Sequence, residues 1–266
     1  MDGSIFEEGN MKKILKRVLV ATMALSMGLA SASCSSKKSI TVEKGKLSMA
    51  TNAYFPPYEY YEGNKIIGID AEIAEAVAKK LGLELVIWDV EFDSIIAGVS
   101  SNKYDIGMAG MTVTEDRKKA VNFSKTYATG IQSIIVKEGS EITDIDVLSA
   151  GTYKVGVQQG TTGDIYMTDD LGEDRVVRYS KGNDAVLALS TDKVDAVVID
   201  NEPAKSFVAA NDGLKILETP YAVEDYAMCL NKNNTELLEK IDKALEELTA
   251  DGTIKAIIEK YIPSNG

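Results

Sequence analysis

The chain has 266 residues, of which 45% are hydrophobic and 26% charged, with two cysteines and no histidine. That length supports one or two domains with a buried core, and the absence of histidine excludes a Ser-His-Asp triad, a Cys-His pair, an HExxH metal site and an imidazole base. With 29 Lys plus Arg against 41 Asp plus Glu, the formal charge of −12 repels phosphate backbones and anionic headgroups, so neither nucleic acid nor a lipid surface is expected as a main partner.

Residues 1–10 are acidic and unpatterned, and the text changes at Met11. Lys12, Lys13, Lys16 and Arg17 form a basic stretch, followed by a mostly apolar run from Val18 to Ala30 and the small residues Ser31-Ala32-Ser33 before Cys34. This is the layout of a secretory signal, too short for a membrane span, so residues 1–33 are read as an upstream extension and signal peptide, with the natural start at Met11. Cys34 after small residues resembles the lipobox of bacterial lipoproteins, in which that cysteine is lipidated; Ser31 stands where the motif usually has Leu, which leaves ordinary cleavage after Ala32 or Ser33 as the alternative. Removal of residues 1–33 takes away 4 basic and 3 acidic residues, leaving 25 against 38 and a charge of −13. Residues 34–43 then form a short tether. Cys229, within Tyr226-Ala227-Met228-Cys229-Leu230, is expected to be a small buried hydrophobe, and no disulfide framework is expected.

From residue 46 strands alternate with helices. Lys46–Thr51 reads as a strand, and Asp70–Leu81 as an amphipathic helix with Ile73, Val77 and Leu81 at four-residue spacing and Gly82 as its stop. Leu83–Val90 is a strand, Asp93–Ser101 a short helix, Tyr104–Ala109 a strand, and Thr114 caps a helix through Lys119. The rhythm resumes with strand Tyr153–Val157, a helix from Thr161, strand Val176–Tyr179, helix Asp184–Leu189, strand Val194–Ile199 and helix Asn201–Ala210, and helices Thr235–Thr249 and Thr253–Tyr261 close the chain. Such alternation implies α/β layers with largely parallel sheets and ligands at the carboxyl ends of the strands. Two extended stretches, Gly130–Val136 and Glu224–Leu230, break the rhythm. If both cross between lobes, residues 44–131 plus 226–266 form the first lobe and 132–225 the second, with a cleft and hinge between them.

The segments expected to line that cleft can be read chemically. Arg117 can grip a carboxylate with two parallel hydrogen bonds, or merely pair with Asp116. Gly110-Met111-Thr112 ends the preceding strand and offers backbone groups and a hydroxyl. Gly160-Thr161-Thr162-Gly163-Asp164 leads into a helix, where free amides attract anions; the alternative is an ordinary capped junction. Asp200 either pairs with an ammonium group or caps the helix after it. Phe55 and Phe92 adjoin polar turns and can sandwich a side chain, or pack in the core. Trp88 is expected in the core or on a lobe surface. The loop lacks the Lys of a P-loop, and no GxGxxG is present, so no nucleotide, other cofactor or metal is expected.

Five motifs occur in order: Thr51-Asn52-Ala53-Tyr54-Phe55-Pro56-Pro57-Tyr58-Glu59-Tyr60, Gly68-Ile69-Asp70, Ala109-Gly110-Met111-Thr112-Val113-Thr114-Glu115-Asp116-Arg117, Val157-Gln158-Gln159-Gly160-Thr161-Thr162 and Asp195-Ala196-Val197-Val198-Ile199-Asp200. Over roughly residues 45–262 the chain closely resembles the polar amino-acid-binding proteins of bacterial ABC importers, the extracellular solute-binding proteins of family 3 that include glutamine-, histidine- and lysine/arginine/ornithine-binding members. The resemblance implies a two-lobe periplasmic-binding-protein-like fold of type II, with two mixed sheets flanked by helices and a two-strand hinge. It implies that Arg117, Thr112 and the Thr161-Thr162 segment bind an α-carboxylate, and that Asp200 and the Gly110 carbonyl receive an α-ammonium. Phe55 and Phe92 would then flank the side chain, with Ala109 beside Gly110 and with Asn52 and Gln158 at its far end. It further implies a monomer that captures a free polar or basic L-amino acid and delivers it to an ABC permease with ATPase subunits, held at the outer face of the cell membrane by lipid on Cys34, or periplasmic if unlipidated.

Selectivity is read from few residues. Several relatives carry Asp where this chain has Asn52. An amide both donates and accepts, which suits a polar neutral ligand, and a cationic one remains compatible if Glu59 or another acid helps. A dicarboxylic ligand is disfavoured. The chain is read as a binding protein and not an enzyme. The alternatives are an exported enzyme resembling the cyclohexadienyl/arogenate dehydratases, which needs a general acid in the cleft with Glu202 as the nearest candidate, or a binding protein that senses amino acids through a separate partner.

Overall fold

In the computed structural model, which describes residues 39–217 and 222–263, strand pairing separates the chain into two mixed sheets. The expected signal, Cys34 and the first part of the tether lie outside the described residues. The chain opens with β1 (Lys46–Thr51), then β2 (Tyr54–Phe55), β3 (Glu59–Glu62) and β4 (Lys65–Ile67), which form a small antiparallel sheet of their own. Helix α1 (Ile69–Leu81) buries Ile73 and Val77 and stops at Gly82, whose left-handed φ of 69° closes the last turn. β5 (Glu84–Asp89), α2 (Ile95–Ser100), β6 (Ile106–Gly107), α3 (Glu115–Ala120) and β7 (Val121–Phe123) follow.

β8 (Ala128–Lys137) begins the second sheet, and α4 (Ile145–Ala150), β9 (Val155–Gln158), α5 (Thr162–Leu171), β10 (Val176–Tyr179), α6 (Gly182–Ser190), β11 (Ala196–Asp200), α7 (Asn201–Ala210), β12 (Leu214–Ile216) and β13 (Ala222–Tyr226) complete it. β14 (Cys229–Asn231) then returns to the first sheet, and α8 (Thr235–Ala250) and α9 (Thr253–Tyr261) pack on α1. The first sheet has the order β5-β1-β6-β14-β7, and the second β10-β9-β11-β8-β12 with β13 also on β8. The expected parallel pairing holds for β1 with β5 and β6, and for β9 with β10 and β11. It fails wherever the chain crosses between sheets: β8 is antiparallel to β11, β12 and β13, and β14 is antiparallel to β6 and β7.

Several expected elements are trimmed for local reasons. The strand expected over Tyr104–Ala109 shrinks to β6, and before it the Asp105 carboxylate accepts Val42 N–H at 2.6 Å and Ser48 N–H and Oγ at 2.8 and 2.6 Å. Cys229 is fully buried, and burial pushes its thiol up to about 12. Trp88 lies on the surface, tilted against Tyr104 at 6.4 Å between centroids. No helix among the described residues is long and apolar enough to cross a membrane.

The two connections between the sheets run side by side. Ser124 N–H donates to the Met228 carbonyl at 2.9 Å, Met228 N–H to Ser124 Oγ at 3.1 Å, and Tyr127 N–H to the Tyr226 carbonyl at 3.0 Å. Tyr226 is fully buried against Gly130, where any Cβ would lie 2.0 Å from the Tyr226 hydroxyl. This pair of strands is the hinge of a two-lobe, type II binding-protein architecture, and the carboxyl ends of β1, β6, β9 and β11 meet in the cleft beside it.

Candidate functional site

Strand ends position most of the side chains that line the cleft. Asn52 directly follows β1; its Nδ2 donates to the Val90 carbonyl at 2.8 Å, and its Oδ1 accepts from Gln158 Nε2 at 3.0 Å. Gln158 ends β9 and also donates to the Ser180 carbonyl at 3.2 Å. The two buried amides thus satisfy one another across the cleft. Beyond β6, Gly110 takes a φ of +53°, and a Cβ there would meet Phe55 Cε1 at 2.7 Å, so glycine is required for both conformation and space. Its N–H donates to Asp70 Oδ2 at 2.8 Å.

Arg117 stands in the first turn of α3, where the Thr114 hydroxyl caps its N–H at 3.2 Å. The guanidinium is buried; Nη1 donates to the Thr112 carbonyl at 2.8 Å and Nη2 to the Gly160 carbonyl at 3.1 Å, with the Phe92 ring 5.4 Å away. Pairing with Asp116 does not occur, because that carboxylate takes Lys119 at 2.6 Å. Burial lowers the Arg117 pKa, while the charges of Glu224 and Asp200 oppose the shift. On the other lobe Thr161 caps α5, accepting from Asp164 N–H at 3.3 Å and donating to the Gln158 carbonyl at 2.8 Å. Asp164 in turn braces the loop, accepting Gly160 N–H at 3.0 Å and Arg178 Nε at 2.8 and 3.0 Å.

Asp200 ends β11, and its side chain makes no capping bond to α7. It turns inward, where Oδ1 accepts from the Tyr226 hydroxyl and Oδ2 from Gln132 Nε2 at 2.9 Å. Burial pushes its pKa up to about 7, although these two bonds pull the other way. Gln132 Nε2 also donates to Glu224 Oε2 at 3.0 Å, and Glu224 further accepts Thr112 Oγ1 at 3.1 Å and the Tyr166 hydroxyl at 2.9 Å.

All eleven residues singled out in the sequence line one cavity: Asn52, Phe55, Phe92, Ala109, Gly110 and Thr112, then Arg117, Gln158, Thr161, Thr162 and Asp200. Phe55 and Phe92 are buried walls of it. Glu59 of β3 is the twelfth. It is 1% exposed, and neither of its carboxyl oxygens has a hydrogen-bond donor. Burial, then the neighbouring Asp70, holds its carboxyl well above the ordinary range. Glu59 is thus an acid that faces the cavity, whereas Glu202, the nearest candidate acid in the sequence, is taken by Lys205 at 2.6 Å and does not line it.

Glu224, Gln132 and Tyr226 escaped the sequence reading. For Glu224 and Tyr226 the signal was the period of two along β13, where they are buried and alternate with exposed Val223 and Asp225; Gln132 lies on β8. The lobes touch across the cleft outside the cavity as well, with Gln159 Nε2 donating to Asp93 Oδ2 at 2.7 Å and Lys181 Nζ 3.5 Å from the centroid of Tyr54. The arrangement is a closed cleft that presents a guanidinium, a helix start with threonine hydroxyls, and two buried acids to whatever it encloses.

Comparison with known proteins places this geometry. The chain is 32% identical over 257 residues to the arginine-binding extracellular protein ArtP of Bacillus subtilis (strain 168), covering 93% of this chain and 98% of the relative. It is 41% identical to an ancestral arginine-binding protein solved with glutamine and with arginine, at TM-scores of 0.77 and 0.76, covering 82% of this chain and 98% of that one. An ancestral amino-acid-binding protein described as a precursor of cyclohexadienyl dehydratase aligns at 29% identity and a TM-score of 0.76 over 82% of this chain and 95% of its own. The family of bacterial extracellular solute-binding proteins, family 3, matches residues 47–264, and the chain belongs to that family.

Proposed function

We propose that the protein captures a free L-amino acid with a basic or polar side chain and hands it to the permease of an ABC importer. The observation that carries this reading is the placement of Arg117 and Asp200 in one cavity, a cation and an acid that match the two ends of a zwitterion. In this reading Arg117, Thr112 and the Thr161-Thr162 segment take the α-carboxylate by charge-assisted bonds. Asp200 and the Gly110 carbonyl take the α-ammonium, and Phe55 and Phe92 flank the side chain. Asn52 and Gln158 face its far end, where Glu59 adds an acid without a donor of its own. That acid favours a cationic side chain, in keeping with the arginine-binding relatives, over a dicarboxylic one.

Residues 44–131 with 226–266 form one lobe and 132–225 the other, and only closure lets both hold the ligand, so the ligand stabilises the closed state. The mature protein is a monomer, tethered by residues 34–43 to lipid on Cys34 at the outer face of the membrane, and its closed lobes dock on a permease driven by a separate ATPase. A thermal-shift screen against the common L-amino acids tests the reading. Basic or polar amino acids raise the midpoint because they bind only the native state. No stabilisation by any amino acid at millimolar concentration overturns it.

The second reading is an exported dehydratase on the same scaffold, and the buried acid Glu59 in the cavity, whose carboxyl burial holds well above the ordinary range, is the one feature that favours it. Incubation with arogenate separates the two: the binding reading expects no aromatic product, and turnover abolished in Glu59→Gln would replace it.

A further inference from the structure

Glu59 and Asp70 form a buried pair of acids behind the proposed side-chain end of the cavity. Asp70, in the first turn of α1, is fully buried, and its Oδ2 already accepts two donors, Gly110 N–H at 2.8 Å and the Tyr127 hydroxyl at 2.9 Å. Its Oδ1 and both Glu59 oxygens have no hydrogen-bond partner, and the two residues are set side by side, with Asp70 N–H donating to the Tyr58 carbonyl at 2.9 Å. Two ionised carboxylates in contact cannot both persist in a dry site without a cation. A single proton resolves the conflict, since a Glu59 hydroxyl donating to Asp70 Oδ1 gives each orphaned group a partner and leaves one Glu59 oxygen for the cavity.

The groups that face the pair keep the proton in place. The charge of Asp200 at the end of β11 acts on Glu59 and that of Glu202 of α7 on Tyr58, the residue before Glu59, while the Tyr127 hydroxyl donates to Asp70 Oδ2 at 2.9 Å. None of these is a cation. The guanidinium of Arg117 is turned instead to the Thr112 and Gly160 carbonyls.

We infer that Glu59 and Asp70 share one proton in the empty pocket, and that a cationic ligand side chain expels it to solvent, so that capture of a basic amino acid releases a proton that capture of a neutral one does not. The charge balances: the pair passes from one negative charge to two as one positive side chain arrives. A neutral side chain brings no charge, so the proton stays. Asp200 can also lose a proton to the medium when it meets the α-ammonium, but this step is common to every amino acid and cancels between ligands. Asp70 is then a positioning residue. It does not line the cavity, and it acts by setting the protonation of Glu59. The inference rests on the amino-acid reading above and sharpens it, because it makes side-chain charge the quantity the pocket senses.

Calorimetric titration of the mature protein with L-arginine and L-glutamine at pH 7, in phosphate and in Tris, counts the protons released. Arginine is expected to release about one proton more than glutamine, with its affinity rising up to about tenfold further per pH unit than that of glutamine while the pair holds its proton. Glu59→Gln, which copies the neutral acid in shape and is checked for folding by its unliganded melt, is expected to erase the difference and weaken arginine by at least about tenfold. Asp70→Asn retains Glu59 but removes the neighbouring negative charge, so the pH above which arginine affinity stops rising moves down. A purely structural role for Asp70 would not move that profile. Equal proton counts for the two ligands, or a difference that survives Glu59→Gln, overturn the inference while leaving amino-acid capture intact. Failure of both ligands to bind overturns the capture reading itself, and the inference with it.

Discussion

The two lobes furnish the cavity unequally. The first contributes eight of its twelve lining residues, among them Phe55, Phe92, Arg117 and Glu59, while the second contributes Gln158, Thr161, Thr162 and Asp200. The first lobe thus supplies the apolar walls, the guanidinium and an acid, and the second supplies polar groups and an acid. On the proposed binding reading, the first lobe captures the ligand in the open cleft and the second adds its bonds only on closure, which separates association from dissociation as measurable quantities.

The sharpest way to break this comparison is Arg117→Ala. It removes the cavity's guanidinium from the capturing lobe and leaves the ligand carboxylate without its buried partner, a loss of about 3–4 kcal/mol, or roughly a hundred- to a thousandfold in affinity by calorimetry. Unchanged affinity would refute the carboxylate assignment even if binding is real. Asp200→Asn strikes the retaining lobe and should cost about 2–3 kcal/mol, chiefly as a faster off-rate in stopped-flow fluorescence. An equal fall in the on-rate would erase the division of labour.

The same variant carries a pH signature. Burial raises the folded pKa of Asp200 from 3.8 to about 7, so the native state holds the proton more tightly than the unfolded chain. That contribution is fully present below pH 4 and is lost as pH rises through about 7. The unliganded melting midpoint should fall over this window, with Asp70, raised to about 6, adding to the slope, and Asp200→Asn should flatten it by roughly 10 °C. The smallest effect is expected at the rim. Gln159→Ala removes an exposed bond to Asp93 and should speed release by a few-fold, about 0.5–1 kcal/mol, without altering the on-rate.

Much of this was legible in the residues because the signals are local. A helix start is announced by Thr114 or Thr161 followed by free amides, a stop by Gly82, and a strand end at the cleft by Asn52 or Asp200, each within a few residues of sequence. Ten of the eleven residues singled out in the sequence lie in the ordered motifs, and Phe92 lies outside them in a polar turn. The charge arithmetic and the missing histidine likewise needed only the composition.

What the sequence could not settle depends on residues brought together from far apart. Whether Asp200 caps α7 or turns inward is decided by Tyr226 and Gln132, which arrive on hinge strands 26 and 68 positions away. Glu224 reads as a surface acid until β13 pairs with β8 and its alternation sends the carboxylate inward. Glu59 reads as an acid able to assist a cationic ligand, but that it is buried next to Asp70 is decided only by β3 and α1. A side chain's residue type and its local turn are written in the chain, and they determined the family of contacts available here. Its ionisation and its partners depend on burial and on distant neighbours, and in this protein only the closed tertiary structure decided those.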